Sequence, residues 1–216
     1  MQHFVAWVTQ FSNMLLSMVV SKLMMTRNMN EYIEVRKPYT SIAIANEVIK
    51  RAKTRKVTIT HLKLQKLVYF AHALHLALEK KPLIRDEVQA WKYGPVIPEL
   101  FRSCAHYGKQ EINDYIASTL IKTGEGPTDY DHVPSFIDNN DEFSNKVLDA
   151  IIESYGSKTA AELSNMAHSK NSAWYLTREY HQGGEKKDYV ISIETIGEAE
   201  KERFGIKEVD NDECLK

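Results

Sequence analysis

Apolar residues recur at helical spacing through most of the chain. Ile42, Ala45, Val48, Ile49 and Ala52 share one face of a helix in SIAIANEVIKRAKT, with Ser41 as its N-cap. TITHLKLQKLVYFAHALHLALEK carries the longest stripe: Leu64, Leu67, Val68, Ala71, Leu74 and Leu78, with Thr60 as cap. Lys63, Lys66 and Glu79 lie outside that stripe; Lys80-Lys81 suit the C-terminal end of the helix, and Pro82 stops it. A shorter helix opens at Pro98 and runs through Leu100, Phe101, Cys104 and Tyr107 to Gly108. Helical spacing returns with Phe143, Val147, Leu148, Ile151 and Tyr155 before Gly156, then with Ala160, Leu163 and Ala167. A last short helix follows Ser192 as cap.

Between Pro82 and Pro98 the period changes to two. Val88, Ala90 and Lys92 fall on one face of an extended chain, and Gln89, Trp91 and Tyr93 on the other. This predicts a short strand or extended arm running into a Gly94-Pro95 corner. Residues 109–140 contain Gly124, Gly126, Pro127 and Pro134 in a polar, acidic run, which predicts a long loop or partly ordered insertion. A Gly183-Gly184 turn follows the Trp174 region, and residues 206–216 form a polar tail. There is no internal repeat and no βαβ alternation. The expected fold is mainly α: a single compact helical domain over residues 39–205, with one short extended or β element before the Gly-Pro corner.

Residues 1–38 stand apart as an N-terminal extension. Phe4, Val8, Phe11, Leu15, Met18 and Lys22 follow helical spacing, so an amphipathic helix is one reading. The other is a start-site artefact, since Met24, Met25 and Met29 each offer an alternative start. Thr9, Gln10, Ser12, Asn13, Ser17 and Ser21 interrupt the segment, which argues against a membrane span.

Composition narrows the class. The 216 residues are 43% hydrophobic and 26% charged with net charge −1, which supports a core without staples and gives no global pull towards nucleic acid or membrane. Cys104 and Cys214 lie far apart, as expected for free thiols in a reducing, cytoplasmic setting.

Candidate chemistry is sparse. His72, His75 and Glu79 have helical spacing that could hold a metal, but the histidines adjoin the apolar stripe, where a packed, hydrogen-bonded role is the commoner outcome. Cys104 and His106 sit two apart on a helix and so face different ways, which leaves no thiol–imidazole pair. No nucleophile elbow, phosphate-binding loop or dinucleotide fingerprint occurs. KRAKTRK, with Lys63 and Lys66, is the one basic concentration; it reads as a solvated helix end or as a contact for phosphates or an acidic protein face. Trp91, Tyr93, Tyr107 and Trp174 form the informative aromatic set, either core anchors or interface residues.

LKLQKLVYFAHALHLA, EVQAWKYGPVIPELFRSCAHYG, ELSNMAHSKNSAW and ISIETI occur in an order that resembles the Panacea antitoxin domain, also called the SocA-like or phage-associated protein domain. The resemblance spans about residues 40–204. The motif positions are Leu64, Gln65, Lys66, Leu67, Tyr69, Ala90, Trp91, Tyr93, Gly94, Pro95, Val96, His168 and Trp174, with Ala173 where the family often has proline. Residues 109–140 follow no family pattern.

The resemblance implies a mainly helical domain with no known catalytic residues, no cofactor and no metal. It implies an antitoxin that binds and neutralises a toxin protein made from a neighbouring gene in a bacterium, phage or mobile element. Because the family pairs one domain with many unrelated toxins, discrimination belongs to variable surfaces. Lys66, Tyr69, Trp91 and Tyr93, the extended arm and the 109–140 region are the candidate partner-binding positions. The alternatives are an adaptor or DNA-binding regulator of its own operon, acting through KRAKTRK, and a small hydrolase or metalloprotein.

Overall fold

The computed structural model describes residues 38–122, 130–181 and 189–206. The N-terminal helix, the Gly124/Gly126 stretch, the Gly183-Gly184 turn and the tail with Cys214 lie outside the described residues.

Helix α1 (Ser41–Arg55) is capped one residue earlier than the sequence suggests. Thr40 keeps extended backbone and its Oγ1 accepts from the Ala43 N–H at 3.1 Å. Ser41 is instead the first helical residue, with its N–H donating to Asp86. The chain reverses at Lys56, which takes the left-handed conformation (φ 55°).

Helix α2 (His61–Glu79) is the centre of the molecule. Its predicted stripe is buried, but so is almost everything else on it, and Leu62 is its one exposed residue. A helix this enclosed has neighbours on every side. Helix α1, the later helices Pro98–Cys104, Glu142–Tyr155, Ala160–Ala167 and Ile193–Arg203, and the corner segment supply them. Thr60 stands at the N-cap without a side-chain cap bond; its backbone bridges Glu111 instead. Lys80 closes the helix at φ 54°, ahead of Pro82.

The predicted extended arm is one leg of a hairpin. Strand β1 (Gln89–Trp91) pairs antiparallel with β2 (Gly94–Val96) in the register Gln89↔Val96, Ala90↔Pro95 and Trp91↔Gly94. The other edge of β1 is covered by residues near the C-terminus: the Ala90 N–H donates to Tyr189 O, and the Ile191 N–H donates to Val88 O. Helix α3 (Pro98–Cys104) starts on its proline and tightens into a 3₁₀ turn, Ala105–Tyr107, before Gly108.

Two described segments of residues 109–140 form strands where the sequence suggests a loop. Strands β3 (Ala117–Lys122) and β4 (Tyr130–Pro134) form a second antiparallel pair, with a register shift between Ala117 and Thr119. The glycines and prolines that signal a loop cluster between and at the ends of the strands, and the β-branched ASTLIK carries the pairing.

Helices α4 (Glu142–Tyr155), α5 (Ala160–Ala167), α6 (Ala173–Tyr180) and α7 (Ile193–Arg203) complete the fold. Each starts on a capping side chain: Asp141, Thr159, Ser172 and Ser192. Thr159 and Glu162 make a reciprocal capping box. The result is one mainly helical domain built around α2. No helix among the described residues is long and apolar enough to cross a membrane.

Candidate functional site

The sequence motifs converge on the β1–β2 hairpin. Lys66 leaves α2 and places its Nζ against the turn, donating to Tyr93 O at 3.0 Å and Pro95 O at 2.9 Å. The preceding residue on the same helix, Gln65, accepts from the Ile97 N–H at 3.1 Å. Two adjacent polar side chains of the central helix thus hold both sides of the Gly-Pro corner. Gly94 sits at φ 103°, a conformation side-chain-bearing residues rarely adopt.

The aromatic residues brace the same hairpin from outside. Trp174 Nε1 donates to Trp91 O at 2.7 Å, and His168 stands edge-on to the Trp174 ring, centroids 4.2 Å apart. Arg178 reaches Ala90 O at 3.2 Å. Trp91 packs against Phe101 and donates its Nε1–H to Gln89. Only Tyr93, at the hairpin tip, points freely outward, 71% exposed.

Burial sets the electrostatics. Lys66 is buried with its amine bonded to two carbonyls, and desolvation lowers its pKa to about 7. His168 is also held below the ordinary histidine range, first by burial and then by its cationic neighbours. Tyr69 is fully buried; its hydroxyl donates to Glu200 at 2.9 Å and is pushed well above the usual phenol value by burial and by that carboxylate.

The expectation that Lys66 and Tyr69 face a partner therefore needs correction. Both point into the interior, because α2 is enclosed on the faces a two-sided helix would leave open. Trp91 is half-buried, and Tyr93 alone of the four candidates is openly accessible. Leu64, Leu67, Ala90, Gly94, Pro95 and Val96 are buried around the corner, while His168 and Trp174 are half-buried.

Other candidate chemistry resolves into packing. His72 Nδ1 accepts from the Ile84 N–H, and His75 Nδ1 contacts Lys81 O at 2.8 Å. Among the described residues, no group of three or more His, Cys, Asp or Glu is placed to hold a metal ion. Cys104 is buried, and its thiol is pushed up to about 12 by desolvation. In the basic run, Arg51 and Arg55 both reach Asp149, and Arg51 also reaches Glu47 and Asn145.

Glu200 and Asn46 are among the buried polar residues that sequence reasoning missed. Glu200 is fully enclosed, where it accepts from Tyr69 and pairs with Arg203. Asn46, also enclosed, bonds both ends of the β3–β4 ribbon. For Asn46 a signal existed: an amide on the otherwise apolar face of α1.

Comparison with known proteins bears on this arrangement. The family described as "Antitoxin SocA-like, Panacea domain" matches residues 64–175, just over half of the chain, from the Lys66 helix to the Trp174 brace. The chain belongs to this family. It is similar to Antitoxin SocA of Caulobacter vibrioides (strain NA1000 / CB15N), with 27% identity over 137 residues, 61% of this chain. The match spans 66% of that relative's length. No solved structure matches.

Proposed function

We propose that this protein is an antitoxin that neutralises a cognate toxin protein by direct contact in the cytoplasm. The observation that carries the reading is the family match across the segment that builds the hairpin and its braces. The family motif is spent on scaffold: Lys66, Gln65 and Trp174 bond the hairpin backbone, and Tyr69 bonds α7 from inside. Partner recognition then falls to what the scaffold displays, namely Tyr93 at the hairpin tip, half-buried Trp91 beside it, and the 109–140 region. The mode of action is occlusion of the toxin, which requires shape and charge complementarity and no chemistry from this chain.

The test is co-expression with the product of the adjacent reading frame. Growth should be arrested by that product alone and restored by this chain, and the two should co-purify. Failure to restore growth, together with failure to bind, removes the antitoxin reading.

A further inference from the structure

The β3–β4 ribbon is held in an unusual way. Asn46, buried in α1, donates from Nδ2 to Ile116 O at 3.0 Å and to Ser135 O at 2.9 Å, while its Oδ1 accepts from the Ile116 N–H at 2.7 Å. Ile116 and Ser135 are the residues just outside the two strands. One amide thus clamps both legs at the root. Beyond the root, β3 and β4 pair with each other and with no other strand among the described residues. Among the described residues, the outer row of backbone N–H and C=O groups on each strand therefore has no strand partner.

A two-stranded ribbon is marginally stable in water, and a third strand on either edge stabilises it. Natural folds ordinarily cover or blunt such edges, as β1 here is covered by Tyr189–Ile191. The root of the ribbon adds a recognisable chemistry. Tyr115 and Phe136 flank it, edge to face with centroids 5.0 Å apart, and both remain partly exposed. Lys53 lies over the Tyr115 ring at 4.3 Å and Lys50 over the Phe136 ring at 5.5 Å. Both lysines are exposed, and Lys50 also pairs with Glu47 at 3.5 Å. An apolar platform rimmed by two cations suits a partner that brings an apolar contact bordered by carboxylates.

We infer that the β3–β4 ribbon is the arm that engages the toxin, by adding an edge strand of the toxin to its own sheet, with acidic toxin residues meeting Lys50 and Lys53. The inference rests on the antitoxin reading above. Backbone pairing supplies affinity that is indifferent to sequence, and the cation–aromatic root supplies selectivity.

The test uses the full chain and the purified product of the adjacent reading frame. Amides of 117–122 or 130–134 should gain hydrogen-exchange protection in the complex. Replacing residues 117–134 with a short Gly-Ser link should leave the domain folded, because Asn46 already holds the two legs side by side. That variant should bind the toxin at least roughly 30-fold more weakly, the size of a hot-spot loss. Lys50→Glu with Lys53→Glu should weaken binding about tenfold at low salt, with the difference shrinking as salt rises. If the linked variant does not fold, the exchange pattern and the charge-reversed variant decide. Parent-like binding by the linked variant, or protection confined to Trp91–Val96, overturns the arm and leaves the antitoxin reading standing. Protection of the ribbon in the free protein that grows with its own concentration assigns the edge to a second copy and overturns it too. A parent chain that does not bind the toxin at all removes both.

Discussion

Gly94 and Lys66 compete for the same space: a Cβ on Gly94 would come within 2.6 Å of the Lys66 Nζ. Lys66 cannot simply swing aside, because its Nζ is tied to Tyr93 O and Pro95 O on either side of that glycine. The backbone adds a second penalty, since φ at Gly94 is 103°. Gly94→Ala should therefore destabilise the domain by about 1–3 kcal/mol, through strain and through displacement of the amine. Thermal denaturation should show the loss as a Tm lower by several degrees. An unchanged Tm would mean that the corner relaxes freely and that Lys66 does not hold it.

Lys66 also links the corner to pH. Its amine has an ordinary value of 10.5 and a folded value of about 7. Between those values the unfolded chain carries a proton that the folded chain does not, so stability rises as pH increases from 7 towards 10.5. The buried hydroxyls of Tyr69 and Tyr155 oppose this above pH 10, because the fold holds their pKa values above the ordinary 10.0. The buried thiol of Cys104, raised from its ordinary 9.0 to about 12, opposes it already above pH 9, so the clear window is pH 7 to 9. Lys66→Met should cost about 1–3 kcal/mol at pH 9, by leaving the corner carbonyls without their donor. The gap to the parent should narrow as pH falls from 10 towards 7, as the parent's unfolded chain takes up the proton its folded amine lacks, and level off below 7. Urea midpoints across the window measure this, and parallel profiles for the two proteins would count against it.

Much of this scaffold was legible in the residues, and the failures have physical causes. The period-3.6 stripes located the helices because burial of one face is written in spacing. Enclosure of α2 was not legible: Lys63 and Lys66 look like solvent residues until the carbonyls they reach, Gly156 O and the corner pair, are known. Those partners are 93, 27 and 29 residues away in the chain. Likewise Tyr69 reads as a surface aromatic at the edge of the stripe, and only the arrival of α7 with Glu200 buries it. The β3–β4 ribbon was hidden for the opposite reason. Its Gly and Pro residues are local loop signals, and pairing between separated strands leaves little local trace.

Acid should unfold the protein partly through His72. Burial lowers its pKa from 6.5 to about 3, and His75 adds to the shift. The unfolded chain binds the extra proton between those values, so stability falls as pH drops from 6.5 towards 3. His61 and His168, both also lowered, act in the same direction. His72→Asn keeps an acceptor for the Ile84 N–H but removes the titration. It should lower stability at pH 7 by about 1–2 kcal/mol and give a flatter acid limb. Stability measured by urea at pH 7, 6, 5 and 4 separates the two effects; an acid limb as steep as the parent's would assign the loss to other groups.

Tyr69 and Glu200 fasten the last helix to the central one, and a double-mutant cycle measures how strongly. The Tyr69 hydroxyl donates to one carboxylate oxygen at 2.9 Å, Arg203 takes the other, and Arg203 reaches on to Ser169 at 2.6 Å. A hydrogen bond to a charged group contributes about 1.5–3 kcal/mol, so Tyr69→Phe should cost that amount. Glu200→Ala also strands Arg203 and should cost about 3–5 kcal/mol. Groups in one network are not additive, so the double variant should fall short of the sum by about 0.5–3 kcal/mol. Hydrogen exchange should show α7 losing protection ahead of α2 in each variant. The cycle also separates scaffold from contact. Tyr69 is fully enclosed, so Tyr69→Phe should bind the toxin with unchanged affinity at temperatures where it is folded, whereas Tyr93→Ala, at the exposed tip, should bind more weakly at full stability. A Tyr69→Phe protein that is fully folded yet loses the toxin would return Tyr69 to the partner surface.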